Sequence, residues 1–374
     1  MFRFIHSSDL HLGKRFGNFS GDLPSRLREA RHAVLGRLAA HANEHGASTI
    51  LLAGDTFDTE TPAADVRRQA LTEMAQHPDI CWIILPGNHD SLQAVDLWAR
   101  MAEEAPANVI LATEAQPTYL AHDAVVLPSP CTTRRPGRDV TEWMDAAITD
   151  VGTIRIGLAH GAIQNFTEDA STEDVIAPDR ARRAKLDYLA LGDWHGTIQV
   201  DPRTYYSGTP EPDRFKHNRP GVALLVSIDA AGEAPQVREL ETGTFQWQTM
   251  ELEILSQDDP AAALQAVMPD LAHRRYVLAN IMASGHTRLA HNAALMADAE
   301  QAAPDFAWFE INTDQLHLEY EVDDLDEIEQ GGALRVAADS LMAEIKNLAL
   351  PAQMRSVASA ALARLYRHAK ADVK

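Results

Sequence analysis

The strongest constraint on this chain is a rhythm. Over roughly the first 230 residues, short apolar runs alternate with stretches whose apolar residues recur every three or four positions. Phe2-Arg3-Phe4-Ile5-His6 reads as a strand, and Pro24 to His45 as an amphipathic helix carrying Leu27, Ala30, Val34, Leu38 and Ala42 on one face. Thr49 to Ala53 is a second strand. Pro62 to Gln76 is a helix with proline near its start, and Ile80 to Leu85 is a strand too uniformly apolar to have a wet face. Val109 to Ala112, Ala124 to Leu127, Ile154 to Ala159, Tyr188 to Leu191 and Val222 to Ile228 continue the series. Such alternation with buried strands specifies a layered α/β domain. From about Ala230 the rhythm changes: Phe245 to Leu255, Tyr276 to Met282 and Phe306 to Ile311 read as strands, and Ala333 to Leu348 and Pro351 to Lys370 as helices. The expectation is two domains, residues 1–230 α/β and residues 231–374 a smaller α+β unit, in line with about 150 residues per domain.

Composition narrows the chemistry. Only two cysteines occur, Cys81 and Cys131, against 16 His and 54 Asp+Glu. A disulfide framework and a thiolate zinc cluster are both excluded, a reducing cytoplasm is the expected location, and any metal must be held by nitrogen and oxygen. No apolar run approaches the roughly 20 residues of a membrane span, and Met1 to Leu10 lacks the pattern of a secretory signal. The net charge is −21 from 33 Lys+Arg and 54 Asp+Glu, so the global field does not favour a polyanion. A nucleic-acid substrate would need positive potential from bound metal, local basic loops or a partner.

Five clusters each follow an apolar strand-like run: Asp9-Leu10-His11, Gly54-Asp55-Thr56-Phe57-Asp58, Gly87-Asn88-His89-Asp90, His160-Gly161 and Gly192-Asp193-Trp194-His195-Gly196. Ligands in α/β sheets bind beyond the carboxyl ends of strands, so five such ends can converge on one site. Carboxylates, imidazoles and one amide, without thiols, suit a two-metal centre. Any one cluster alone is weak: Gly-Asp after a strand is commonly a turn, and a lone His is commonly a satisfied polar residue. Their order and joint placement carry the reading.

These motifs resemble the calcineurin-like metallophosphoesterases, and within them the SbcD-type DNA-repair nucleases. The resemblance rests on HSSDLHLG at His6 to Gly13, LLAGDTFDTETP at Leu51 to Pro62, LPGNHD at Leu85 to Asp90, LDYLALGDWHG at Leu186 to Gly196 and YYSGTPEP at Tyr205 to Pro212. It implies a sandwich of two mixed sheets flanked by helices, with a capping and partner-binding second domain. It also implies two divalent cations: Asp9, His11 and His195 on the first, Asn88, His160 and Asp193 on the second, and Asp55 bridging. His89 would face the scissile phosphate as acid or charge stabiliser, oriented by Asp58. The family pattern has His-x-His where this chain has Asp193-Trp194-His195. An oxygen ligand there favours manganese or magnesium over zinc; the alternative is that Asp193 does not ligate. Manganese is the first expectation, with magnesium, iron, cobalt or zinc as the others.

The function implied is metal-dependent DNA exonuclease and endonuclease activity in repair, with DNA and an SbcC-type coiled-coil ATPase as partners, and a homodimer as the oligomer. The runner-up is a phosphodiesterase or phosphatase on nucleotides or other small phosphoesters. A reading of another class is a weakly catalytic scaffold for an ATPase. Lys14, Arg15, Arg214 and Lys216 follow site motifs closely and could hold a phosphodiester backbone, as could Arg134, Arg135 and Arg138; solvated loop charge is the alternative for each. Asp298 to Glu329 contains twelve acids and no Lys or Arg, which should keep DNA away from that stretch.

Overall fold

A computed structural model describes residues 1–120, 123–163, 175–319, 325–326, 328–329 and 331–371, with side chains described to residue 369. Two compact units divide the chain, Met1–Gln246 and Trp247–Lys374.

The first unit is a sandwich of two six-stranded mixed sheets. Its strands in chain order are β1 (Phe2–Ser7), β2 (Thr49–Leu52), β3 (Cys81–Ile84), β4 (Val109–Leu111), β5 (Thr118–Leu120), β6 (Ala124–Ser129), β7 (Ile154–His160), β8 (Tyr188–Gly192), β9 (Ile198–Asp201), β10 (Thr204–Tyr206), β11 (Val222–Ile228) and β12 (Gln236–Glu241). One sheet runs β12-β11-β1-β2-β3-β4 and the other β5-β6-β7-β8-β10-β9. β1 to β4 are parallel, as are β6, β7, β8 and β10, while β5, β9, β11 and β12 enter antiparallel. This is the architecture the motifs implied.

The pleat sorts each strand's residues between two cores. Phe4, Leu51, Ala53 and Ile83 face inward, where they meet Ile156, Leu158, Tyr188 and Val226 between the sheets. Ile5, Ile50, Leu52, Trp82 and Ile84 face outward, under helices supplying Val34, Leu38, Leu71, Met74, Trp98 and Met101. Those helices are α1 (Leu23–His32), α2 (Val34–His45), α3 (Ala64–Ala75) and α4 (Val95–Glu104). The helix read from Pro24 to His45 is thus two helices that meet at Ala33, whose ψ of −11° relaxes the turn. The parallel strands β1, β2, β3, β7 and β8 all lead into the five motifs.

The second unit has a three-stranded sheet, β13 (Gln246–Ile254), β14 (Val277–Arg288) and β15 (Trp308–Glu319), in that order. β14 and β15 are parallel, joined through the helix Leu289–Ala302, so this unit contains a βαβ crossover. Two further helices, Ala333–Lys346 and Ala352–Ala371, pack Ala338, Met342, Leu362 and Tyr366 with Leu289. Among the described residues no helix is long and apolar enough to cross a membrane.

Candidate metal centre

The loops after β1 and β2 are laced together. Asp9 N–H donates to Gly54 O at 3.1 Å, His11 N–H to Asp55 O at 2.9 Å, Leu12 N–H to Thr56 O at 2.9 Å and Asp58 N–H to Leu12 O at 3.0 Å. The lacing holds Asp9, His11 and Asp55 at φ values of 54°, 45° and 53°, and Asp193 stands at 103°. Four non-glycine residues in sparsely populated backbone, all following strand ends, mark a place where surrounding structure imposes geometry on side chains. Glycine supplies the clearance. A Cβ on Gly54 would fall 2.2 Å from His160 Nδ1, and one on Gly87 would fall 2.2 Å from Asp55 Oδ1.

All nine residues assigned to the metals and the chemistry come together. Asp9, His11 and His195 offer one atom each within 4.8 Å of one another, and so do Asp9, Asp55 and His160. Asp55 Oδ2 stands 3.8 Å from His11 Nε2 and 3.5 Å from His160 Nε2, between the two sets. Asp193 Oδ1 lies 3.8 Å from His160 Nε2 and accepts from Asn88 Nδ2 at 3.4 Å. Asp9, His11, Asp55 and His160 are buried; Asn88, His89, Asp58, Asp193 and His195 are half-buried at the mouth.

Each imidazole is oriented by what its Nδ1 meets. His160 Nδ1 faces Ala53 O at 2.8 Å, His195 Nδ1 faces Asp213 Oδ1 at 3.3 Å and His11 Nδ1 faces Asp58 Oδ1 at 3.4 Å. Every Nε2 therefore points into the cluster, the arrangement that metal-binding histidines take from their outer partners. His89 Nδ1 meets the backbone carbonyl of Asp58 at 3.0 Å, and the main-chain N–H of His89 donates to Asp55 Oδ1 at 2.8 Å. Asp58 thus reaches His89 through its main chain, while its carboxylate serves His11.

The donor set fits divalent cations. His11 Nε2 and His195 Nε2 face each other at 3.3 Å, a contact between lone pairs that only a proton or a cation relieves. Among the described residues, the buried atoms Asn88 Oδ1 and His160 Nε2 have no hydrogen-bond partner. Charge is frustrated as well. Burial pushes Asp193 up, and Asp9 and Asp55 add to that against the pull of His160. Burial and Asp55 push Asp90 up to about 7 although Phe57 and Gly87 donate to it. For Asp55, burial is outweighed by His160, His11 and His89, which hold its carboxyl well below the usual range. Oxygen, imidazole and one amide are the donors of a hard or borderline divalent ion.

The basic residues are placed differently. Lys14 Nζ and Arg214 Nε are committed to Asp213, at 2.6 and 2.9 Å, and Lys216 Nζ lies 4.7 Å from the centroid of the Trp194 ring. Arg15 is exposed. Asp213 is the residue that sequence reasoning missed. It joins His195, Lys14 and Arg214, and its only signal was a place directly after the YYSGTPEP motif. Asp90, the last residue of the LPGNHD motif, receives the N–H groups of Gly87 at 2.7 Å and Phe57 at 3.0 Å and so fixes the loop that carries Asn88.

The chain is 35% identical over 97 residues to the SbcD component of the SbcCD nuclease, both from Escherichia coli K12 and from E. coli O157:H7. That stretch is 25% of this chain and 22% of each relative, so it spans about a fifth of their length. Among solved structures, TT1561 of Thermus thermophilus aligns at 10% identity with a TM-score of 0.34, covering 55% of this chain and 89% of that one. The profile of the family described as calcineurin-like phosphoesterase matches residues 2–227. A match of that extent, over a domain whose five strand ends meet in one metal-suited cluster, places the chain among the calcineurin-like phosphoesterases.

Proposed function

We propose that this chain is a metal-dependent nuclease that hydrolyses phosphodiester bonds of DNA in repair, working in the cytoplasm with an SbcC-type coiled-coil ATPase and as a homodimer. The observation that carries the reading is the joint placement of Asn88 and His89 beside three inward-facing imidazoles and two buried carboxylates. The similarity to the SbcD component of the SbcCD nuclease over 97 residues supports the choice of DNA.

Asp9, His11 and His195 would hold one cation and Asn88, His160 and Asp193 the other, with Asp55 shared; manganese is the first choice. Two such ions supply positive charge for an in-line displacement at phosphorus and make a water acidic enough to attack. The chain's own part centres on His89. With Nδ1–H donating to the Asp58 carbonyl, Nε2 is the ring nitrogen that would carry a proton to or from the substrate. From there it can protonate the leaving oxygen or stabilise charge on the phosphoryl oxygens. The main-chain N–H of His89 donates to Asp55 Oδ1 and so ties the residue to the carboxylate proposed as shared. Ser8 donates to Asp9 Oδ2 at 2.5 Å, as does Asp193 N–H at 3.1 Å, which sets the rotamer of Asp9.

A second reading, hydrolysis of small phosphoesters, draws on the −21 charge and on the commitment of Lys14 and Arg214 to Asp213. One experiment separates the two: a metal-screened assay on labelled single- and double-stranded DNA beside a panel of nucleotides, with and without the ATPase. Turnover of nucleotide monoesters far above any DNA cleavage would replace the nuclease reading with the second.

A further inference from the structure

A cavity of about 660 Å³ opens off Asn88 and is lined by Asn88, Gln93, Thr133, Arg134 and Arg135. Its volume lies within the roughly 300–1,000 Å³ of small-ligand sites. Among the described residues no carboxylate lines it: two guanidiniums are the charged groups of its described lining, at the edge of a cluster of carboxylates and imidazoles. Among the described residues, neither Arg134 nor Arg135 has a hydrogen-bond or ion-pair partner. Arg180, Arg203 and Arg214 of the same unit are all paired with aspartates.

The loop bearing these arginines is fixed at both ends. Cys131 N–H donates to Pro86 O at 3.0 Å and Leu92 N–H to Cys131 O at 2.9 Å, which bonds the segment after β6 into the loop that carries Asn88 and His89. At the far end Asp139 Oδ2 accepts from Ala177 N–H at 2.9 Å and from Arg180 at 2.8 Å. The two side chains therefore stand beside the candidate centre on an anchored support. Guanidinium forks match phosphate oxygens bidentately. A phosphate monoester would already have its one phosphate at the metal centre and offer nothing to a second subsite, whereas a polynucleotide offers its next phosphate.

We propose that Arg134 and Arg135 bind a substrate phosphate neighbouring the scissile one, and so give the site its preference for a polynucleotide over a small phosphoester. This rests on the nuclease reading above. The test compares the wild-type full chain with an R134A/R135A pair and an R134K/R135K pair, all with Mn²⁺. The probes are a labelled single-stranded oligodeoxynucleotide and bis(p-nitrophenyl) phosphate. The Ala pair should lose about tenfold or more in kcat/KM on the oligonucleotide, mainly through KM, with a clearly smaller loss on the small diester. The Lys pair should recover part of it. The dependence of log kcat/KM on log salt should become shallower by about 0.7 for one single-strand phosphate contact. Equal losses on both probes, or an Ala pair that cuts the oligonucleotide like the wild type, would overturn the arginine assignment alone. A wild-type chain that hydrolyses the diester but leaves oligonucleotides intact would remove the nuclease reading and this inference with it.

Discussion

Asp213→Asn is the sharpest probe of how the candidate centre is built. The substitution keeps size and leaves a carbonyl that can accept the His195 Nδ1–H, but it removes a buried negative charge shared by His195, Lys14 and Arg214. Those contacts stand at 3.3, 2.6 and 2.9 Å. For Asp213 itself burial alone would raise the carboxyl, yet His195, Arg31 and Arg214 hold it far below the ordinary range, so it is charged at any working pH. With a neutral acceptor behind it, His195 becomes a poorer donor at Nε2. Partners of this kind are worth about 10- to 100-fold in metal affinity, or about 1.4–2.7 kcal/mol. The loss should fall on the cation proposed for Asp9, His11 and His195. Asp213 has no contact with Asn88, His160 or Asp193 among the described residues, so the other site should move by about twofold or less. Chelator-stripped protein titrated with Mn²⁺ in a calorimeter would separate the two sites. The temperature must stay well below melting, because Lys14 and Arg214 lose their partner as well. Unchanged affinity at both sites, or equal weakening of both, would refute the assignment of Asp213 to one side of the centre.

Three further outcomes are expected. His89→Gln should lose at least ~100-fold in turnover while keeping its bound metal by elemental analysis; an active variant, or one stripped of metal, would contradict its place outside the ligand set. Asp193→Ala should lose one of two metal equivalents, and Asp193→His should keep both but shift preference from manganese toward zinc or cobalt; an Ala variant that binds both ions like the parent makes Asp193 a turn residue only. His6 is fully buried between Tyr188 OH at 3.0 Å and Leu191 O at 3.2 Å, and burial, only partly offset by the Leu191 bond, lowers its pKa to about 3. The unfolded chain takes up a proton near pH 6.5 that the folded one refuses, so stability present above pH 6.5 is lost as pH falls toward 3. At about pH 5 the loss is about 2 kcal/mol. Urea unfolding of wild type and His6→Gln at about pH 7 and about pH 5, both with chelator, should show the variant losing less; parallel losses would sink the claim.

The parts of the fold legible in sequence are those buried on both faces. Thr49-Ile50-Leu51-Leu52 and Ile154 to His160 lie between a helix layer and the opposing sheet, so little that is polar interrupts them. β9, β10 and β12 were not legible for the opposite reason. They are short or lie at sheet edges, and β12, Gln236-Val237-Arg238-Glu239-Leu240-Glu241, buries only Leu240. The helix Leu289–Ala302 was hidden by alanines spread around its circumference, which leave no apolar stripe to detect. In the candidate site, the residues whose side chains gather in the cluster sit in motifs and could be found. Asp213 acts through His195, and its pairing spans 18 residues of loop and strand that no spacing rule connects. Likewise the Asp58 carbonyl that meets His89 is a main-chain atom, for which side-chain identity gives no signal.

The donors around the centre come from both layers of the sandwich. Asp9, His11, Asp55 and Asn88 follow strands of one sheet, whereas His160, Asp193 and His195 belong to strand ends of the other. A cation pair seated there would act as a rivet between two halves that the apolar interior otherwise joins. Ions that bind only the folded state add to its stability by mass action, so melting temperature should climb with free Mn²⁺ and drop on adding chelator. Such a rivet would also form late. His11 and His195, whose Nε2 atoms face each other, lie 184 positions apart in sequence. Both sheets must find register before the first ion has a full set of donors. A chain emerging into metal-poor surroundings would complete its architecture first, and would become both active and hard to unfold in a single later event.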